Sequence, residues 1–215
     1  MSNRPAQDGH DPFLVVLSSP SGAGKTSICR GVAKRDGNVA YSVSATTRPR
    51  RRGEVDGRSY SFLTEKRFKG MVARNGLLEH ALVYDHYYGT PKAPVLRHFR
   101  AGRDVIADLD IQGMRSARAA LPGTVAIFIT APCRTEIGRR LKRRGTDSEE
   151  VMARRQAEME AELAAIPDFD YLVVNDRLND AVARVLAIIS AERQRTGRHP
   201  AFARRRMSRK TKEYR

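Results

Sequence analysis

An apolar run, Phe13–Leu17 (FLVVL), passes directly into Ser18–Ser27 (SSPSGAGKTS), and this junction constrains the fold more than any other stretch of the chain. Five consecutive apolar residues ending at turn formers read as a strand buried on both faces, the pattern of a parallel sheet. The amphipathic stretch Lys25–Lys34 that follows reads as a helix. Between the two, the residues match G-x-x-x-x-G-K-[ST] except that Ser19 occupies the first glycine position. In a strand–loop–helix setting, such a loop curls its backbone N–H groups around phosphates and adds the partial positive charge of the helix N-terminus. Its lysine reaches the terminal phosphates and its hydroxyl ligates Mg²⁺. Ser19, Pro20, Ser21, Gly22, Ala23, Gly24, Lys25 and Thr26 are therefore the expected nucleotide-binding residues, with Thr26 toward the metal. The first position only begins the turn, so a small serine serves there while its backbone stays in an ordinary region.

Similar apolar runs recur at Asp104–Asp110, Thr124–Thr130 and Tyr171–Asn175, separated by helical patterns at Ala93–Ala101, Gly113–Leu121, Arg134–Ala165 and Asn179–Arg193. That alternation implies a doubly wound α/β core, a parallel sheet flanked by helices. Residues 12–44, 91–133 and 167–196 form the expected core. Two segments break the alternation: residues 45–90, rich in Thr, Arg, Gly and Tyr with a helix near Glu65–Arg74, and the charged residues 134–166. Both read as insertions over the carboxyl edge of the sheet, where ligands of open α/β sheets bind.

The composition narrows the setting. No apolar stretch near the start approaches the ~20 residues of a membrane span, and the polar leader lacks the features of a signal peptide, so a soluble cytoplasmic protein is expected. Cys29 and Cys133 lack metal-site or disulfide spacing and are expected to be buried thiols. The five histidines form no ligand-spaced set. The net charge is +16, of which residues 193–215 carry +9, ten Lys/Arg against Glu213. Residues 1–11 read as a flexible N-terminus, and residues 197–215 as a basic tail, partly disordered and dispensable for chemistry, with at most weak affinity for nucleic acid. With no Trp and 7% aromatic residues, the chain lacks the stacking platforms of single-strand readers.

Downstream lie VSATTRPRRRGEVDGRSY (Val43–Tyr60), LLEHALVYDHYYGT (residues 77–90), DVIADLDIQG (Asp104–Gly113) and RRLKRRGTDSEE (Arg139–Glu150). Together with the phosphate loop, these resemble the guanylate kinases over about residues 12–195, in order and at the family's spacing. The resemblance implies a P-loop NTPase core with a small mixed GMP-binding insertion at residues 45–90 and a helical lid at residues 134–166. It also implies ATP with Mg²⁺ as phosphoryl donor, GMP (and dGMP) as acceptor, and no membrane partner.

The residues fit that chemistry. Arg48 and Arg51 with Tyr60 and Tyr88 make a set of planar forks and phenolic hydroxyls suited to a phosphate monoester, and the resemblance gives them the GMP phosphate. Guanine presents N–H donors on its Watson–Crick edge and ionised carboxylates only accept. Glu79 and Asp110 are thus candidate readers of the base, assisted by Ser44 and Thr90. The resemblance adds Asp108 to this acceptor site, Asn175 to the adenine side, and Arg140, Arg144 and Arg155 as lid arginines that join Lys25 and Arg48 in catalysis. No catalytic base is apparent or required, because the second ionisation of a phosphate monoester has pKa ≈ 6 and the attacking oxygen is already deprotonated. Arg177 stands after Asn175–Asp176 where the family often has an acid. Alternative functions are a kinase of another nucleoside monophosphate or a non-catalytic guanylate-kinase-like binding module; the intact Lys25 and Thr26 argue against the latter. Oligomeric state is not legible in the sequence.

Overall fold

A computed structural model describes residues 9–20, 23–83, 85–133 and 159–200. Strand β1 (Leu14–Ser18) is buried along its whole length at the centre of a five-stranded parallel sheet. Its neighbours are β7 (Asp104–Asp108) and β8 (Val125–Thr130); β2 (Val39–Tyr41) and β9 (Tyr171–Val174) lie outside them, in the order β2-β7-β1-β8-β9. The period-2 alternation of strand side chains divides the core into two layers. Val15, Leu17, Ile106, Ile127 and Ile129 face α1 (Lys25–Arg35) and α5 (Leu178–Arg193). Leu14, Val16, Val105, Ala107 and Ala126 face α3 (Lys92–Arg100) and α4 (Ile111–Ala120). A side chain at Gly31 would meet Val182 Cγ2 at 2.7 Å, so the absence of one lets α1 and α5 pack closely.

Residues 45–91 build a second, mixed sheet, β4-β3-β6-β5, from β3 (Ala45–Thr46), β4 (Ser61–Phe62), β5 (Leu77–Val83) and β6 (His86–Pro91). Helix α2 (Glu65–Ala73) starts where Thr64 accepts from the Arg67 N–H, and its Phe68 forms the small core with Ala45 and Leu77. Because α1 leaves β1 toward one face and α4 leaves β7 toward the other, a crevice opens at the carboxyl ends of β1 and β7, the usual ligand position in such sheets. The mixed sheet borders it.

One expectation fails here. Cys133 is exposed, because it lies beyond the end of β8; Cys29, on the inner face of α1, is buried as expected. The described residues at either end of the core make specific contacts. Asp11 N–H donates to Arg198 C=O at 2.7 Å, and the buried His10 contacts Asp104 at 3.1 Å. Arg193 pairs with Asp104 and Asp36, while Arg198 donates to Glu192 and Gly123 and stacks 3.8 Å over Phe13. Arginines that read as tail charge therefore complete buried carboxylates, a pairing that composition alone does not reveal.

Candidate functional site

The loop after β1 owes its shape to backbone geometry and to one distant amide. Gly24 caps α1 at φ 94°, a left-handed conformation suited to glycine, and a side chain there would approach Asn175 Nδ2 to 2.7 Å. Asn175, buried at the end of β9, donates from that nitrogen to Ala23 C=O at 2.7 Å and so braces the loop from behind. Lys25 Nζ donates to Ser19 C=O at 2.8 Å, arching across the loop. Burial lowers the Lys25 pKa, and the carboxylates of Glu162, Asp108 and Asp110 oppose the shift. The Ser19 hydroxyl donates to Pro20 C=O, which also receives the Ala23 N–H. Serine at the first position thus reinforces the turn.

Asp108 closes the loop toward β7. One carboxylate oxygen accepts from the Thr26 hydroxyl at 2.5 Å and the other from the Tyr41 hydroxyl at 2.7 Å. The same residue lines a cavity of about 180 Å³ with Ser44, Tyr60, Glu79, Tyr88, Leu109 and Asp110. One carboxylate is therefore common to the phosphate loop and the adjoining pocket.

At the base of that pocket Glu79 is 8% exposed and accepts from the Thr90 hydroxyl at 2.7 Å. Desolvation raises its pKa to about 7; Asp110 adds to the rise and the Thr90 hydrogen bond opposes it. Asp110 caps α4, accepting from the Gly113 N–H at 2.6 Å. A side chain at Gly113 would stand 3.0 Å from Asp110 Oδ1 and 3.2 Å from Glu79 Oε2. Two carboxylates and a hydroxyl thus converge on one small volume. Such a set accepts hydrogen bonds from a ligand edge rich in N–H donors.

Beside the pocket, the Arg48 guanidinium is held by both oxygens of Glu54, at 2.7 and 3.1 Å, and by Pro49 C=O. It lies 5.5 Å from the Tyr60 ring centroid, and Tyr60 meets Tyr88 edge to face. The hydrogen bond to Glu54 raises the Arg48 pKa against burial. A guanidinium fixed this way presents its remaining N–H edge without a further entropic cost, an arrangement suited to an anionic oxygen.

The family model for guanylate kinase matches residues 12–192. A guanylate kinase from Caldanaerobacter subterraneus subsp. tengcongensis is 44% identical over 187 residues, covering 87% of this chain and 91% of that protein. One from Paramagnetospirillum magneticum is 47% identical over 182 residues, covering 84% and 85%. The chain belongs to the guanylate kinase family. The crystal structure of guanylate kinase from Anaplasma phagocytophilum superposes with a TM-score of 0.75 at 26% identity, covering 91% of this chain and 93% of that one.

The structure brings together Ser19, Pro20, Ala23, Gly24, Lys25, Thr26 and Asn175 in the loop, and Ser44, Tyr60, Glu79, Tyr88, Thr90, Asp108 and Asp110 in the pocket. Arg48 adjoins the pocket through Tyr60. Arg51 does not join them: its side chain is exposed and its backbone N–H donates to Glu54, because it begins the turn that carries that carboxylate. Asn175, expected on the adenine side, is buried with its side-chain nitrogen turned to the loop backbone. Ser21, Gly22, Arg140, Arg144 and Arg155 lie outside the described residues. Sequence reasoning missed Tyr41, Glu54 and Gly113. Glu54 follows the arginine run at hydrogen-bonding distance in sequence, which is a usable signal; Tyr41 and Gly113 show their roles only in three dimensions.

Proposed function

We propose that this protein transfers the γ-phosphoryl group of ATP to the phosphate of GMP, and of dGMP, giving ADP and the nucleoside diphosphate. The observation that carries the reading is the buried Glu79 carboxylate, oriented by Thr90 beside Asp110, in a pocket that shares Asp108 with the phosphate loop. Guanine's edge supplies the donors those carboxylates lack; adenine presents a different pattern there. Arg48 and Arg51, with Tyr60 and Tyr88, then receive the GMP phosphate. One of its oxygens attacks the γ-phosphorus in line as the bond to the bridging oxygen of ADP breaks. Positioning and charge stabilisation supply the acceleration, from Lys25 at the loop and from Arg140, Arg144 and Arg155, which keep the lid role the family resemblance gives them.

The donor set suits Mg²⁺ as cofactor. Thr26 and Asp108 offer hard oxygens, and no cluster of three or more His, Cys, Asp or Glu placed for a metal occurs among the described residues. That pattern fits an ion held chiefly by nucleotide phosphates. Thr26 would hold it and Asp108 would orient Thr26; bound there, the ion neutralises charge on the phosphates. The division into core, residues 45–90 as acceptor insertion and residues 134–166 as lid belongs to this proposal, as do cytoplasmic location and a place in purine nucleotide metabolism. Among the described residues, no helix is long and apolar enough to cross a membrane.

The test is incubation with ATP, Mg²⁺ and each nucleoside monophosphate in turn. GMP should give paired ADP and GDP. A faster reaction with AMP, CMP or UMP, or none with any, overturns the reading.

A further inference from the structure

Tyr41 is a polar residue at the end of an otherwise apolar strand, and its ring packs against the core that contains Ile28 and Cys29 of α1. Register fixes where its hydroxyl goes. Tyr41 pairs with Ile106 on β7, so Asp108 lies two residues farther along the neighbouring strand, on the same face of the sheet. Asp108 pairs in turn with Leu17 on β1, next to the start of the phosphate loop. The Tyr41 hydroxyl donates 2.7 Å to one carboxylate oxygen, which leaves the other facing the Thr26 hydroxyl at 2.5 Å. Burial, followed by the Asp108 charge, raises the phenol pKa, so the hydroxyl stays a donor.

We propose that Tyr41 is a positioning residue for the divalent cation that accompanies ATP, acting through Asp108. Its hydrogen bond fixes the carboxylate plane so that Asp108 accepts the Thr26 proton and turns the lone pairs of Oγ1 toward the cation. Without it the carboxylate can rotate away from Thr26. Partners that orient a metal ligand are typically worth 10–100-fold in metal affinity. The inference rests on the ATP-dependent reading above.

The test is Tyr41→Phe, which keeps the ring in the core and removes only the hydroxyl. With Mn²⁺ as probe, paramagnetic resonance of the free ion measures its affinity for the ADP-bound protein. That affinity should fall about tenfold, while ADP without metal and GMP bind within about twofold of wild type. Phosphotransfer should return as Mg²⁺ is raised. With Asp108→Asn already present, adding Tyr41→Phe should change Mn²⁺ affinity little further. Unchanged Mn²⁺ affinity in Tyr41→Phe overturns the proposal. So does a parallel loss for ADP, GMP and Mn²⁺ with a lowered Tm, which would make Tyr41 a packing residue only. Failure of the kinase reading is separate, because the wild-type protein would then not phosphorylate GMP at any Mg²⁺ concentration.

Discussion

The Glu79 carboxyl must be ionised to accept guanine's donors, yet burial places its pKa near 7, so GMP recognition should release a proton in the physiological range. Below the midpoint, each pH unit reduces the ionised fraction, and with it the Glu79 contribution to GMP affinity, by about tenfold. Above about pH 8 the contribution should level off. The second ionisation of the GMP phosphate falls in the same window, so Glu79→Gln is the control: it keeps the shape, cannot titrate, and leaves the phosphate's own titration unchanged. The ratio of wild-type to Glu79→Gln affinity, measured by calorimetry without ATP from pH 5.5 to 8.5, isolates the carboxylate. It should rise with pH and plateau at tenfold or more, since mismatching a buried hydrogen-bonding group costs about 1–3 kcal/mol. Repeating the titration at pH 7 in buffers of different ionisation enthalpy should count about half a proton released, in excess of that released by Glu79→Gln. The apo protein has the opposite dependence. A carboxyl whose pKa is raised from 4.5 to about 7 on folding stabilises the fold fully below 4.5 and loses that contribution as pH rises through 7. At about 1.4 kcal/mol per unit, the loss is on the order of 3 kcal/mol. A ratio that is flat across this range would refute the assignment of Glu79 to the base.

Lys25→Ala should lower kcat about 10²-fold or more, measured by coupled ADP release, because the ammonium acts on charge that develops during transfer; near-wild-type turnover would remove the phosphate loop from the chemistry. Gly113→Ala adds a methyl 3.0 Å from Asp110 and 3.2 Å from Glu79, so KM for GMP should rise several-fold with KM for ATP unchanged. Because alanine favours a helix over glycine by about 1 kcal/mol, its Tm should not fall by more than a few degrees. Removing residues 201–215 should leave phosphotransfer intact, whereas removal from 198 onward also deletes Arg198 and its contacts with Glu192, Gly123 and Phe13 and should lower Tm by several degrees in a thermal melt.

What could be read from the sequence, and what could not, divides by the range of the interaction. The parallel core was legible because Leu14–Ser18, Asp104–Asp108, Val125–Thr130 and Tyr171–Val174 are apolar runs with helical patterns between them, a signal carried by neighbours in sequence. Gly24 and Thr26 were legible because the loop's local geometry demands them. Arg51 could not be told from its neighbours, for the complementary reason. It belongs to a run of arginines, and only the turn that brings Glu54 back to Arg48 decides which guanidinium is buried and which faces solvent. Asn175 lies 152 positions from Ala23, and a buried amide bracing a loop carries no periodicity that could mark it. Arg193 and Arg198 count as tail charge in composition and as partners of Asp104 and Glu192 in the fold.

Asp108 shows most clearly how a position can be recognised from sequence while one of its contacts is not. The family resemblance places it with Asp110 as a pair for the acceptor. In the structure the two carboxylates part, because Asp108 ends a strand and Asp110 caps the helix that follows. Asp110 stays with Glu79 and Gly113 around the pocket floor, and Asp108 reaches the Thr26 hydroxyl of the opposite loop. Asp108 also lines the pocket, so one carboxylate stands between the donor loop and the acceptor pocket. Tyr41 is what holds it in place. Geometry shared between two ligands through a single oriented side chain lets both substrates be aligned by the same rigid sheet edge, as in-line transfer between them requires.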